Sequence, residues 1–168
     1  MDILFKNKYA RNKEIVKELY RYQYFQRGFF MFFNTLICLS VLANIVIILL
    51  GVLSAISNLI LGLLLLFYPV FCYFTQVKML LKRDKEIFGK EPEIEVIITD
   101  EYMKDANNEK TAPIEFDKIK VVKQTKNLIL IRTKARLIYI LPKDTFTVGS
   151  KDEFIDFLRK KGVVVKGK

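Results

Sequence analysis

The sequence predicts an α+β membrane protein: a two-helix transmembrane hairpin plus a small antiparallel β-barrel-like domain closed by a C-terminal helix. Three observations predict it. From Gly28 to Val77 the chain carries no charged residue, while charge crowds both ends of that run. From Glu93 onward, short stretches of alternating apolar and polar residues succeed one another with brief turns between them. After the last of these comes Ser150-Lys-Asp-Glu153, the signature of a helix start.

The uncharged run is too long for one helix. At 1.5 Å per residue it would reach about 75 Å, whereas a hydrocarbon core about 30 Å thick needs about 20 apolar residues. It reads as two spans, at about 28–48 and 57–77, joined by a turn containing Gly51, Ser54, Ser57 and Asn58. Phe29, Phe30, Phe32 and Phe33 open the first span, and Tyr68 and Tyr73 stand near the end of the second, where amphipathic rings suit an interface. Pro69 removes one backbone donor and predicts a kink. Asn34 and Asn44 are the polar exceptions in the first span. They read as helix-packing residues, within the hairpin or between copies, in preference to lining a polar site. The spans hold no Asp, Glu, Lys or Arg, which argues against an ion or proton pathway. Cys38 and Cys72 stand one in each span without CxxC spacing and read as small hydrophobes.

Charge sets the expected orientation. The net charge is +10. Residues 1–27 carry seven Lys/Arg against Asp2, Glu14 and Glu18, and residues 78–90 carry five against Asp84 and Glu86, while the hairpin tip has none. By the positive-inside rule both termini are cytoplasmic and the protein is a multi-pass protein of the cell membrane. Basic residues at that position also favour anionic lipid, by about 1 kcal/mol each close to the surface. A 27-residue polar lead before so long an apolar run does not suit a signal peptide, and lipidation signals are not expected.

Four segments follow: a basic N-terminal segment at 1–27, the hairpin at 28–77, a juxtamembrane helix or linker at 78–92 and a cytoplasmic domain at 93–168. Within the first, residues 10–27 read as an amphipathic helix with Ile15, Leu19 and Tyr22 on one face. It lies either in the membrane interface or against the soluble domain. Ile3-Leu4-Phe5 reads as a short strand. Helix continues through Lys78–Phe88, with Gly89 as its stop and Pro92 shortly after.

In the domain, Ile94, Val96 and Ile98 alternate with more polar neighbours. Further strands are expected at Tyr102–Lys104, Ile114–Phe116, Ile119–Gln124, Leu128–Thr133 and Arg136–Leu141, with a polar turn at Asp105–Lys110. Connections this short require antiparallel pairing. Phe154, Ile155, Phe157 and Leu158 give the last helix an apolar face, Arg159, Lys160 and Lys161 suit its final turn, and Gly162 ends it.

The stretches Ile119–Asn127, Leu128–Ile131, Ile140–Phe146 and Ser150–Phe154 together resemble the YcxB-like family of bacterial membrane proteins. Leu141-Pro-Lys-x-x-Phe146 followed by the helix is the most specific piece, and Phe116 fills a position where the family often has an aromatic residue. The resemblance implies a two-helix membrane hairpin with a C-terminal cytoplasmic domain like a pleckstrin-homology-type barrel capped by a helix. It implies no particular activity.

Little in the chain suggests catalysis. With no His, neither a Ser-His nor a Cys-His pair can form. No Gly-rich phosphate loop occurs. Glu91, Glu93 and Glu95 read as one solvated face rather than an acid–base pair. We expect no enzyme activity, no metal and no cofactor. One feature points to binding: residues 118–143 hold Lys118, Lys120, Lys123, Lys126, Arg132, Lys134, Arg136 and Lys143 with no acid, whereas 91–117 hold nine acids and only Lys104 and Lys110. Beside an anchor, such a set suits anionic headgroups or an acidic protein surface. Ordinary edge and turn lysines that blunt strand pairing are the competing explanation. The expected partner is membrane lipid, with a protein partner or a second copy as alternatives and no nucleic acid. The alternative function is a structural or oligomerising accessory subunit of a membrane complex.

Overall fold

A computed structural model of the chain describes residues 2–26, 28–52, 55–107 and 112–167. It divides into two units, Met1–Ile15 with Asp84–Lys168, and Val16–Arg83. Arg27, Ser54 and the 108–110 part of the polar turn lie outside the described residues, as do the side chains of Phe29 and Phe30.

The first helix, α1, runs Lys13–Arg21 and is followed by a π-helical turn, Tyr22–Gln26. It is shorter than the 10–27 helix the periodicity suggests, because Asn12 caps it: its Oδ1 accepts from the N–H groups of Glu14 and Ile15 at 3.1 and 3.0 Å. The two apolar helices are α2, Gly28–Leu49, and α3, Ala55–Phe88. Gly51, at φ +90°, sits in the turn between them. Helix α3 continues through Pro69, and Gly89, at φ +69°, follows its end.

The strands are β1 (Phe5–Ala10), β2 (Glu93–Ile98), β3 (Tyr102–Asp105), β4 (Ile114–Glu115), β5 (Ile119–Gln124), β6 (Leu128–Thr133), β7 (Ile138–Pro142), β8 (Phe146–Val148) and β9 (Val165–Lys166), with α4 (Lys151–Lys160) before the last. They form two sheets, ordered β4-β3-β2-β1-β8 and β7-β6-β5-β9. The antiparallel, barrel-like domain expected from the sequence is thus corrected in two respects. The sheets are separate, and β9 pairs with β5 in parallel. Once α4 has crossed the core, β9 reaches β5 in the parallel sense, a pairing no short turn can make.

The larger correction concerns β1. The segment expected to stand apart from the domain is an inner strand of its first sheet, paired with β2 from Phe5↔Ile98 to Ala10↔Glu93 and with β8 on its other side. Phe5, Asn7 and Tyr9 point inward and are buried. Asn7 is fully buried: its Nδ2 donates to the Pro142 carbonyl at 2.9 Å, and its Oδ1 accepts from the Thr145 hydroxyl at 3.1 Å. The Lys8 N–H donates to the Thr145 carbonyl at 3.1 Å. At the end of this strand the Arg11 guanidinium holds the nearly buried Asp84, with Nε donating to Oδ2 at 2.9 Å and Nη2 to Oδ1.

Between the sheets lies one core, including Val96, Ile98, Met103, Val122, Ile129, Ile131 and Leu141, closed by Phe154, Ile155 and Leu158 of α4. Phe5 meets Phe154 and Phe157 at ring separations of 5.4 and 5.5 Å, and Phe116 meets Phe157 at 5.2 Å. The capping box is formed: the Ser150 N–H donates to Glu153 Oε2 at 2.9 Å, and the Glu153 N–H to Ser150 Oγ at 3.3 Å. At the other end Gly162, at φ +76°, closes a Schellman turn in which the Val163 N–H donates to the Leu158 carbonyl. Gly149, at φ +69°, faces the Phe5 ring so closely that a Cβ there would collide with it.

Three outcomes follow from this packing. Asn7→Ala removes both bonds by which the Pro142–Thr145 turn holds β1, leaving the Thr145 hydroxyl only its bond to the Pro142 carbonyl at 3.1 Å, and lowers the stability of the detergent-solubilised chain by about 1–3 kcal/mol in denaturant unfolding. Asp84→Ala leaves Arg11 unpaired in a largely buried setting and costs about 3 kcal/mol in the same measurement. Burial pushes the Tyr9 phenol well above its ordinary range, with Arg11 opposing and Asp105 adding to the shift. The folded state therefore holds that proton more tightly than the unfolded chain, whose tyrosines ionise near pH 10. Its contribution is complete below about pH 10 and falls away as pH rises above that. Melting temperatures taken from pH 8 to 11 should show this alkaline loss. Tyr9→Phe should reduce it but not abolish it, because burial and Asp105 raise Tyr139 in the same direction.

Candidate functional site

The second sheet sorts the cations of 118–143. Pairing places Lys123, Leu130 and Ile140 in one row and Val121, Arg132 and Ile138 in the next, on the face turned away from the core. Lys120 is the extra residue where the β5–β6 register shifts between Ile119 and Val121, and it is exposed. Lys134 and Arg136 lie in the turn between β6 and β7. The Lys134 N–H donates to the Lys118 carbonyl at 2.8 Å, which brings the short 3-10 turn Phe116–Lys118 beside it. Five of the eight therefore gather toward one end of the sheet: Lys118, Lys120, Arg132, Lys134 and Arg136.

Lys126 and Lys143 lie at the opposite end. Lys126 is exposed in the β5–β6 turn. Lys143 braces two turns against each other. Its Nζ donates to the Thr125 carbonyl at 2.7 Å and its N–H to the Asn127 carbonyl at 2.8 Å, tying the β7–β8 turn to the β5–β6 turn. The Leu141–Phe146 segment thereby acquires a physical meaning. Its Pro142 carbonyl and Thr145 hydroxyl hold Asn7, and its lysine fastens the neighbouring turn.

The acids are matched in a way the 91–168 stretch alone does not reveal. Glu93 and Glu95 lie on the outer face of the first sheet beside two lysines of β1. Lys6 Nζ is 2.7 Å from Glu95 and Lys8 Nζ is 3.9 Å from Glu93. Asp100 meets Lys161 at 2.8 Å, and Glu115 meets Lys118 at 3.1 Å. In the sequence, Lys6 and Lys8 count with the basic flank of the hairpin, because their strand is expected outside the domain. The alternation Phe5-x-Asn7-x-Tyr9 is the signal that reveals it.

An open groove of about 390 Å³ beside the start of α4 is lined by Lys143 and Lys151 but also by Asp144 and Asp152. The capping box engages the N–H groups of Ser150 and Glu153, and the two acids of the lining balance its two lysines. Among the described residues no group of three or more His, Cys, Asp or Glu is placed to hold a metal.

In the other unit, α2 and α3 are long and apolar enough to cross a membrane, and only 6% and 11% of their apolar windows are buried. The least exposed residues of α2 recur as Asn34, Ile37, Val41, Asn44 and Ile48, a single seam at heptad spacing. A Cβ at Gly62 of α3 would lie 2.9 Å from Val41 Cγ2, so the two helices meet along that seam. Asn34 and Asn44 thus lie on the seam, and the Asn44 amide donates to the Ser40 carbonyl of its own helix at 2.8 Å.

Residues 98–158, from the end of β2 into α4, match the family model described as YcxB-like protein. No curated protein and no solved structure matches the chain. The matched stretch contains the Leu141–Phe146 segment that seats β1 and the capped helix that closes the core, and the chain therefore carries a YcxB-like domain.

Proposed function

We propose that this is a non-enzymatic integral membrane protein whose helical hairpin anchors a pleckstrin-homology-type, YcxB-like domain at the inner leaflet, where its cations bind anionic lipid headgroups. One observation carries it: two long helices whose apolar stretches are almost wholly exposed call for a hydrocarbon environment to cover them. The pairing of β1 with β2 supports a common side for the two ends of the hairpin, since one sheet holds both. The basic flanks favour the cytoplasmic side. Two packed sheets closed by a C-terminal helix suit the pleckstrin-homology-type architecture.

The acids of β2 have the lysines of β1 beside them, while five of the eight cations of 118–143 gather at one end of the second sheet, in a stretch of sequence that holds no acid. At about 1 kcal/mol each near an anionic surface, three or four such contacts hold a tethered domain against it. The seam positions of Asn34 and Asn44 support a role inside the hairpin rather than between copies.

The test uses the full-length chain in nanodiscs. Amide exchange across 118–143 should slow with anionic lipid relative to zwitterionic lipid, return in high salt, and lose its lipid dependence when Lys120, Lys123 and Arg132 become Glu. Exchange that is the same in both lipids would overturn the lipid role.

A further inference from the structure

The turn between β6 and β7 carries two features that charge alone does not explain. Leu137 and Ile138 are 54% and 46% exposed, although they follow directly on a run of cations. Arg136 adopts φ +67° and is the one non-glycine residue with positive φ among the described residues. That left-handed conformation suits Gly or Asn and strains a long side chain such as arginine. Such strain persists only where the surroundings impose it, and it gathers at functional positions.

The turn is closed on itself. The Arg136 and Thr133 N–H groups donate to the carbonyls of Thr133 and Leu137 at 3.1 and 3.0 Å, and the Leu137 N–H donates to the Thr133 hydroxyl at 3.1 Å. Leu137 is thus presented by a fixed turn. Ile138 stands directly across from Arg132, which stands across from Val121. Lys118 lies beside Lys134 through their backbone bond. The result is a small apolar tip, Leu137 and Ile138, flanked by Lys118, Lys120, Arg132, Lys134 and Arg136. Glu115 and Asp117 precede Lys118 in the chain, and Glu115 is paired with Lys118 at 3.1 Å.

We infer that the β6–β7 turn is a membrane-inserting tip: Leu137 and Ile138 enter the boundary between headgroups and acyl chains of an anionic bilayer while the surrounding cations meet the headgroups. Apolar side chains backed by Lys and Arg are the arrangement by which a surface element lodges at that depth. The charge around the tip selects an anionic bilayer over a neutral apolar protein surface. The inference rests on the anionic-lipid role proposed above and names the element that performs it. It also separates the two ends of the sheet, since Lys126 and Lys143 flank no comparable apolar pair.

The chain contains no Trp, so one introduced indole reports its own surroundings. Leu137→Trp and, at the opposite end of the same strands, Asn127→Trp are placed singly in the full-length protein. Each is reconstituted in nanodiscs of zwitterionic lipid or with about a third anionic lipid, with and without acyl chains brominated near the headgroup. The expected result is blue-shifted, bromine-quenched emission from position 137 in anionic discs only, with position 127 unchanged. In otherwise native sequence, Leu137→Ser with Ile138→Ser should reduce the lipid-dependent protection of 118–143 about tenfold, and Arg136→Gly, which relieves the backbone strain, should keep the fold and weaken that protection.

Lipid-dependent protection that persists while position 137 stays water-exposed would overturn insertion and leave the lipid role standing. Loss of both would overturn the two together. A blue shift equal in detergent and in both lipids, without bromine quenching, would assign the tip to a protein surface and overturn the inference.

Discussion

The buried amide of Asn7 is the interaction on which the two-sheet unit depends. An uncharged polar side chain with no access to water must find both a donor and an acceptor, and Asn7 finds them in the Pro142–Thr145 turn. That pair of bonds fixes where β1 sits relative to the end of β7, and β1 in turn joins β2 to β8. Without it the first sheet is split, the Phe5 ring no longer meets Phe154 and Phe157, and the acids of β2 lose their lysines. Gly149 shows how closely the strand is seated, since no side chain larger than hydrogen fits against Phe5 there.

The same pairing joins residues far apart in the chain. β1 and β2 are neighbours in the sheet but are separated in sequence by the whole hairpin. Pairing over so long a connection carries a loop-closure cost, although that cost grows only slowly with length. Arg11, just after β1, and Asp84, where the chain re-enters this unit, are joined by two hydrogen bonds. A fragment starting near residue 91 would therefore lack an inner strand of its own sheet.

Much of this was legible from residue order. The uncharged run marks α2 and α3, and alternation from Glu93 marks β2, β3, β5 and β6 close to their observed limits. The capping box and Gly162 mark both ends of α4. These are local signals, each set by its own neighbours. What escaped depends on distant partners. Asn7 breaks the apolar alternation of β1, and only the turn across the core makes an asparagine acceptable there. β8 and β9, at three and two residues, are too short for any periodicity. The start of β7 at Ile138 rather than Arg136 follows from the left-handed backbone of Arg136, a conformation its residue type disfavours.

The same division holds for the site. A count of charges along the chain finds the eight cations, because charge is a property of residue type. It cannot show that five converge on one end of a sheet, that Lys143 is tied to Thr125, or that Lys6 and Lys8 answer the acids of β2. Those facts depend on strand register, and register depends on a buried amide and a turn far apart in the chain. By itself, then, the sequence determined the apolar hairpin, the class of the domain and the sign of its surface. The tertiary structure alone decided which strand completes the first sheet and where the cations of the second gather, because both follow from long-range pairing that no local pattern encodes.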